Sequence, residues 1–223
     1  MTSDQHKKRL IGFDLDGTLA GGYIWQSLNV LAGMSIEEDR EMVRKFYAGE
    51  MSYDKWIKLL TKKHSESGVA KEQYLAFINS HAEANIFPDA HTLISQLQDR
   101  GDEVCIVSGG IDLYVEAVAK KLGIKEWFAH CSLKFDDNDK LSQIVAYGDD
   151  ETVKVTYLKK ISEKLNIPMS EIIFVGDSLN DLAAFKATGN GIYIDHHNPN
   201  PDLSRAAWKQ VSTLSEAQAF LVA

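Results

Sequence analysis

The sequence predicts an α/β fold, a three-layer core with a central parallel sheet, carrying a small all-helical cap inserted after the first strand. Three observations predict it. Short apolar runs end in polar or glycine-rich turns, amphipathic stretches lie between those runs, and a long gap separates the run ending at Asp14 from the next at Val104. One crossover helix cannot fill that gap, so something is inserted there.

In chain order, the first strand is Leu10 to Asp14, an apolar run closed by an acidic residue. The gap reads as helical over Tyr23 to Asn85. Ser35 with Glu38 forms a capping box before Val43, Phe46 and Tyr47, and Ser52 caps a helix carrying Trp56, Leu59 and Leu60. Tyr74, Phe77, Ile78 and His81 share a third helical face. From Asp89 to Arg100, Ala90, Leu93, Ile94 and Leu97 line one face and Gly101 ends the helix. A strand, Val104 to Ser108, follows at once. Two alternating segments between Trp127 and Tyr147 flank Asp136, Asp137, Asn138 and Asp139, the pattern of a strand pair joined by a turn. Thr152 to Asn166 reads as a helix through Val155, Leu158, Ile161 and Leu165, stopped by Pro168. Strands at Ile172 to Asp177 and Gly191 to Asp195 complete the sheet. The core is thus residues 1–22 and 86–223, and the cap residues 23–85.

Composition fits one large domain with an insertion. The chain has 223 residues, 44% hydrophobic and 25% charged, which is ordinary for a globular protein. Its 24 Lys and Arg against 32 Asp and Glu leave a net charge of −8, which repels nucleic acid and anionic membrane surfaces. Cys105 and Cys131 lack CxxC or Cys/His spacing, so they suggest neither a zinc site nor a disulfide framework and read as buried thiols. After the basic start His6, Lys7, Lys8 and Arg9, the apolar run is too short for a signal-peptide core. No run approaches a membrane span, and the expected location is cytoplasmic.

The chemistry collects at strand ends. Asp14 and Asp16, before Gly17 and Thr18, are two residues apart, so in an extended segment both carboxylates face one site. Such a pair can divide labour, one carboxylate staying ionised while the other handles protons. Ser108-Gly109-Gly110 offers a hydroxyl and, at a helix start, backbone N–H groups to an anion. In Gly176-Asp177-Ser178-Leu179-Asn180-Asp181, Asp177 can join Asp14 on a hard cation such as Mg²⁺, with Asp181 in support one turn later. Each signal alone has an ordinary structural reading: an Asx turn, a glycine turn, or carboxylates stabilising a helix start.

Together, in this order, the motifs resemble the haloacid dehalogenase superfamily of phosphatases and phosphotransferases, which implies a Rossmann-like core. Asp14-x-Asp16-Gly17-Thr18 is similar to that family's first motif, Ser108 to its second, Lys154 to its third and Gly176 to Asp181 to its fourth. Within it the chain resembles the phosphoserine phosphatase-like branch. The resemblance implies that Asp14 attacks phosphorus and also meets Mg²⁺, while Asp16 is general acid and then base. It implies metal contacts from the Asp16 carbonyl and Asp177, with Asp181 holding the metal shell. It further implies that Ser108, the Gly109 amide and Lys154 neutralise phosphoryl oxygens, with Thr18, Gly110 and Asn180 in the phosphate and substrate site.

The cap departs from that branch. Tyr23 stands where a glutamate meets the substrate ammonium, and Lys58 where an arginine meets its carboxylate, so phosphoserine is not a supported substrate. Tyr23, Trp25, Tyr53 and Trp56 either pack the cap or line a pocket for a ring or a quaternary ammonium. His196-His197 reads as a surface turn. The expectation is an Mg²⁺-dependent phosphatase of a small phosphorylated metabolite, without nucleic-acid or membrane partners. A phosphomutase or phosphotransferase using the same residues and a non-catalytic phospho-ligand-binding protein are the alternatives.

Overall fold

The structure, a computed structural model, describes residues 9–148 and 152–222. His6, Lys7 and Lys8 of the basic start lie outside them. The described residues form one seven-stranded sheet. Its strands are β1 (Leu10–Phe13), β2 (Glu103–Ile111), β3 (Glu126–Phe135), β4 (Leu141–Ala146), β5 (Ile172–Gly176), β6 (Gly191–Ile194) and β7 (Lys209–Val211). They lie in the order β4-β3-β2-β1-β5-β6-β7. All pairings are parallel except that of β3 with β4.

The central strand β1 pairs with β2 on one side and β5 on the other, Leu10 facing both Glu103 and Ile172. Its unbroken apolar run follows from this position, since both faces are covered and all four residues are buried. Ile11 and Phe13 pack with Ala90, Leu93 and Ile94 of the helix α5 (Pro88–Asp99). Leu10, pointing the other way, packs with Leu158 and Ile161 of α7 (Val153–Leu165) and Phe185 of α8 (Leu182–Thr188). Gly12 faces that second layer, where a Cβ would come within 2.9 Å of the Phe174 ring. Helices α6 (Asp112–Leu122), α9 (Pro201–Ala206) and α10 (Leu214–Leu221) complete the two layers.

The predicted strand at Val104 runs longer than its apolar pattern. It continues through Gly109 and Gly110 to Ile111, with a register shift between Ser108 and Ile111. The expectation of Ser108-Gly109-Gly110 at a helix start is therefore corrected, because α6 begins only at Asp112. A bulge interrupts the ladder there, the usual device for re-aiming a strand beside a site.

Four helices fill residues 24–85: α1 (Ile24–Leu31), α2 (Ile36–Tyr47), α3 (Tyr53–Glu66) and α4 (Lys71–Asn85). The Ser35–Glu38 capping box forms, and the Ser52 hydroxyl accepts from the Lys55 amide. Inside the cap, a buried polar chain joins all four helices. The Asp39 carboxylate accepts from Asn29 Nδ2 (2.7 Å) and Gln26 Nε2 (3.1 Å), and Asn29 Oδ1 lies 2.8 Å from His64 Nε2. His64 Nδ1 lies 2.8 Å from the Tyr74 hydroxyl. Burial lowers the His64 pKa to about 4, so the ring is neutral, with Nε2 the donor and Nδ1 the acceptor.

Two antiparallel crossings tie the cap to the core. The Gly21 amide donates to the Asn85 carbonyl (2.9 Å) and the Phe87 amide to the Leu19 carbonyl (3.0 Å). The chain turns just beyond them at Gly22, whose φ of +80° suits glycine and where a Cβ would meet Asn85 Oδ1 at 2.6 Å. On the far side the β3–β4 hairpin supports the cap. The Ile144 amide donates to Thr61 Oγ1 (3.2 Å), the Lys71 amide to the Asp139 carbonyl (2.8 Å), and the Tyr53 ring stacks on His130.

Candidate active site

Because β1 is flanked by β2 and β5, whose connections leave to opposite sides, a crevice opens beyond the carboxyl ends of these strands. Asp14 emerges directly from β1 and donates its amide to the Val175 carbonyl (2.8 Å), which fixes it against β5. The chain then turns tightly: the Thr18, Leu19 and Ala20 amides all point at the Leu15 carbonyl, at 2.9–3.1 Å. Gly17 takes a φ of +83° in this turn, and a Cβ there would fall 2.1 Å from Asp177 Oδ2. Only glycine lets the first loop approach the fourth motif this closely.

Lys154, at the start of α7, is 1% exposed and holds the site together. Its ammonium lies 2.9 Å from Asp14 Oδ1 and 2.5 Å from Asp181 Oδ1, and it donates to Asn180 Oδ1 at 2.9 Å. Burial disfavours the ammonium, but Asp14 and Asp181 outweigh it and raise its pKa. Asp181 spends its other oxygen on the Asp177 and Ser178 amides, at 3.0 and 3.1 Å. It thereby fixes the loop that presents Asp177.

Asp14, 4% exposed, has its pKa raised to about 6, with burial the largest cause and Lys154 opposing it. Asp16 is raised further, to about 7, first by burial and then by the Asp14 charge. Its Oδ1 accepts from the Ile24 amide at 3.3 Å, linking this carboxyl to the first turn of the cap. Asp177 is raised to about 9 by burial and by its acidic neighbours. A carboxyl about half protonated at neutral pH, beside one that a neighbouring ammonium favours in its ionised form, can divide proton transfer and nucleophilic attack between them.

The donor set also fits a hard divalent cation. Asp14, Asp177 and Asp181 each offer an oxygen, all within 4.8 Å of one another. Asp177 Oδ1 is buried and has no hydrogen-bond partner. Four carboxylates here face one lysine, an excess of negative charge that a divalent ion relieves.

Asp14 and Asp16 form the floor of a cavity of about 480 Å³, with Ser108, Gly109, Gly110, Ser178 and Asn180 on its core side. Ser108 is buried, and its Oγ accepts from the Gly110 amide (2.9 Å). Gly109 and Gly110 leave room where a Cβ would crowd Asn180 and Ser108, each at 3.1 Å. Thr18 lies elsewhere: it is fully buried, is not on the cavity wall, and its hydroxyl has no partner.

The cap supplies the roof. Tyr23, Trp25, Tyr53 and Trp56 all line the cavity, and of these the Tyr53 and Trp56 rings also meet each other edge to face. Lys58 does not line it. The inner face of α3 is Tyr53, Trp56, Ile57 and Leu60, and Lys58 lies outside that stripe, exposed. The cation on the wall is Arg40 of α2, which sequence reasoning missed. Its signal was its spacing, three residues before Val43, on the face that Val43 and Phe46 define. His196-His197 does form a turn, with φ of 48° and 62°. His196 stays exposed, and its Nε2 lies 2.7 Å from the Gly17 carbonyl.

With this geometry in place, the comparisons are concordant. The sequence profile of haloacid dehalogenase-like hydrolases matches residues 8–189. The chain is 27% identical to a phosphoserine phosphatase of Methanocaldococcus jannaschii, over 83% of this chain and 84% of that one. It is 25% identical to a phosphoserine phosphatase of Streptomyces coelicolor, over 92% of this chain but only 48% of that relative, about half its length. A solved structure described as a phospho-aspartyl intermediate analogue of phosphoserine phosphatase superimposes with a TM-score of 0.79 at 26% identity, covering 96% of this chain and 99% of the other. Among the described residues no helix is long and apolar enough to cross a membrane.

Proposed function

The chain belongs to the haloacid dehalogenase-like hydrolases, and from that premise we propose that it is an Mg²⁺-dependent phosphatase that cleaves a small phosphomonoester through a phosphorylated Asp14. The observation that carries this reading is the Asp14–Lys154–Asp181 arrangement. A buried nucleophilic carboxylate has an ammonium 2.9 Å away, itself anchored at 2.5 Å, on the cavity floor. The relatives named as phosphoserine phosphatases support the same chemistry.

Asp14 and Asp177, with Asp181 behind them, would hold Mg²⁺, which would supply Lewis-acid charge neutralisation at the phosphoryl group. The chain's own residues do the rest. An Asp14 oxygen attacks phosphorus while Lys154, Ser108 and the Gly109 amide balance the charge on the equatorial oxygens. Asp16, protonated up to about pH 7, gives its proton to the departing alkoxide. The resulting carboxylate then accepts a proton from the water that cleaves the acyl phosphate, which returns both aspartates to their starting states. Asn180, bonded to Lys154 and to the Ser178 hydroxyl at 3.0 Å, keeps the lysine aimed.

Free phosphoserine is a poor fit to the roof, because neither Tyr23 nor any free carboxylate on the wall pairs its ammonium. The test is Asp14→Asn: a folded variant is expected to release no phosphate from any ester the wild type cleaves. Wild-type-like release from that variant excludes the covalent route. Transfer to an added alcohol in place of water would assign a phosphotransferase instead.

A further inference from the structure

We propose that the substrate of this site carries a flat aromatic or similarly apolar body and, at its far end, a second anionic group that pairs with Arg40. The inference rests on the phosphatase reading and concerns only what the cap selects. Three observations lead to it.

The first is size. At about 480 Å³ the cavity falls within the roughly 300–1,000 Å³ that enclose drug-sized ligands, far more than a three-carbon phosphoester fills.

The second is the character of the roof. Phe46 stands 4.9 Å from Trp56 and 5.8 Å from Tyr53, centroid to centroid, and Tyr53 stands 6.1 Å from Trp56. These rings are held, not loose. Tyr53 stacks on His130 of the core at 5.1 Å and 9°, with its hydroxyl 3.2 Å from His130 Nδ1. Trp25, Val43 and Ile57 extend the same apolar wall. A rigid aromatic wall above a charged floor recognises a flat body attached to a phosphate.

The third is charge. Arg40 is the one cation on the wall above the floor, and among the described residues no carboxylate pairs with it. Asp39 beside it is not available to a ligand, being 4% exposed with both oxygens already accepting from Asn29 and Gln26. An arginine fork with no internal partner meets a carboxylate or phosphate in bidentate fashion. The same guanidinium repels a cationic head, which decides between the two occupants the aromatic residues allow, in favour of the ring.

The test uses four alkyl phosphates with comparable leaving groups: phosphoserine, 2-phenylethyl phosphate, and its para-carboxy and para-carboxamide derivatives. Phosphate release is measured with Mg²⁺ present. Both the plain and the carboxylated 2-phenylethyl esters are expected to exceed phosphoserine in kcat/KM, the latter by about 100-fold. The carboxylate is expected to exceed the carboxamide by about tenfold. Arg40→Gln should erase that last ratio through KM, and Lys58→Gln should leave the ratio intact. Preference for phosphoserine overturns the proposal while leaving the phosphatase reading standing. So does a carboxylate ratio that survives Arg40→Gln or is lost in Lys58→Gln. Release from none of the four overturns the phosphatase reading itself, and this inference with it.

Discussion

At the scale of single residues, environment alone distinguishes two aspartates two positions apart in the chain. Both are pushed upward by burial, but Asp14 has Lys154 at 2.9 Å to oppose the shift, while Asp16 has the Asp14 charge to add to it. Under the proposed mechanism the nucleophile is the one that ionises first, and the acid the one that keeps its proton to about pH 7. Asp16→Asn is expected to lower kcat on an alkyl phosphate by about 10²–10⁴-fold. On an aryl phosphate, whose phenolate leaves without help, the loss in the first step should be at least tenfold smaller, a comparison read directly from burst kinetics. Equal losses on both esters would remove Asp16 from the acid role. His196 contributes from a distance: by holding the Gly17 carbonyl at 2.7 Å it steadies the turn that aims Asp16. Its pattern in sequence is only that of a turn, because nothing in a dipeptide of histidines reports which loop folds against it.

Among the elements, the cap stands on a buried polar chain where an apolar core would be the simpler solution. Asn29 is the centre of that chain, donating to Asp39 at 2.7 Å and accepting from His64 at 2.8 Å. Asn29→Ala leaves a buried carboxylate short of a donor and a buried imidazole N–H short of an acceptor. It is expected to cost about 2–4 kcal/mol in a denaturant titration. A loss under about 0.5 kcal/mol would mean that water replaces the amide at no penalty. None of this chain was legible beforehand, since Asn29, Asp39 and His64 are ordinary surface residues by type. What was legible was whatever local chemistry dictates: the Ser35–Glu38 capping box, the Ser52 cap and the helix ended by Gly101. The helix α1 and the strand β7 were missed because one is a short apolar stretch without a cap and the other is three residues long. Strand β2 overran its apolar pattern because Gly109 and Gly110, which read as a turn, pair through a bulge instead.

For the whole molecule, the sheet gathers charge that the fold alone does not neutralise, and this ties stability to both pH and metal. The core motifs were readable because three of them sit at or near strand ends and the fourth, Lys154, at a helix start, so spacing along the chain reports position at the crevice. The roof was not, because helix faces depend on packing that no motif encodes, and so Arg40 replaced Lys58 as the cation on the wall. Asp14, Asp16 and Asp177 hold protons up to about pH 6, 7 and 9 in the metal-free fold, above the ordinary value of 3.8 that they regain on unfolding. Across that window the native state binds more protons than the unfolded chain, so metal-free stability falls as pH rises from about 4 to 9. Mg²⁺ binds the ionised form and must displace those protons, a cost that is large at pH 5 and small at pH 8. The rise in Tm on adding Mg²⁺ at about 100 times its Kd is therefore expected to reach about 5–10 °C at pH 8. At pH 5 it should shrink to a fraction of that. Asp177→Asn removes one buried carboxylate and one ligand together, so it should raise the metal-free Tm at pH 8 and abolish the Mg²⁺ increment. Scanning calorimetry at the two pH values checks both, and an increment of equal size at pH 5 and pH 8 would show that the cation binds away from these carboxylates.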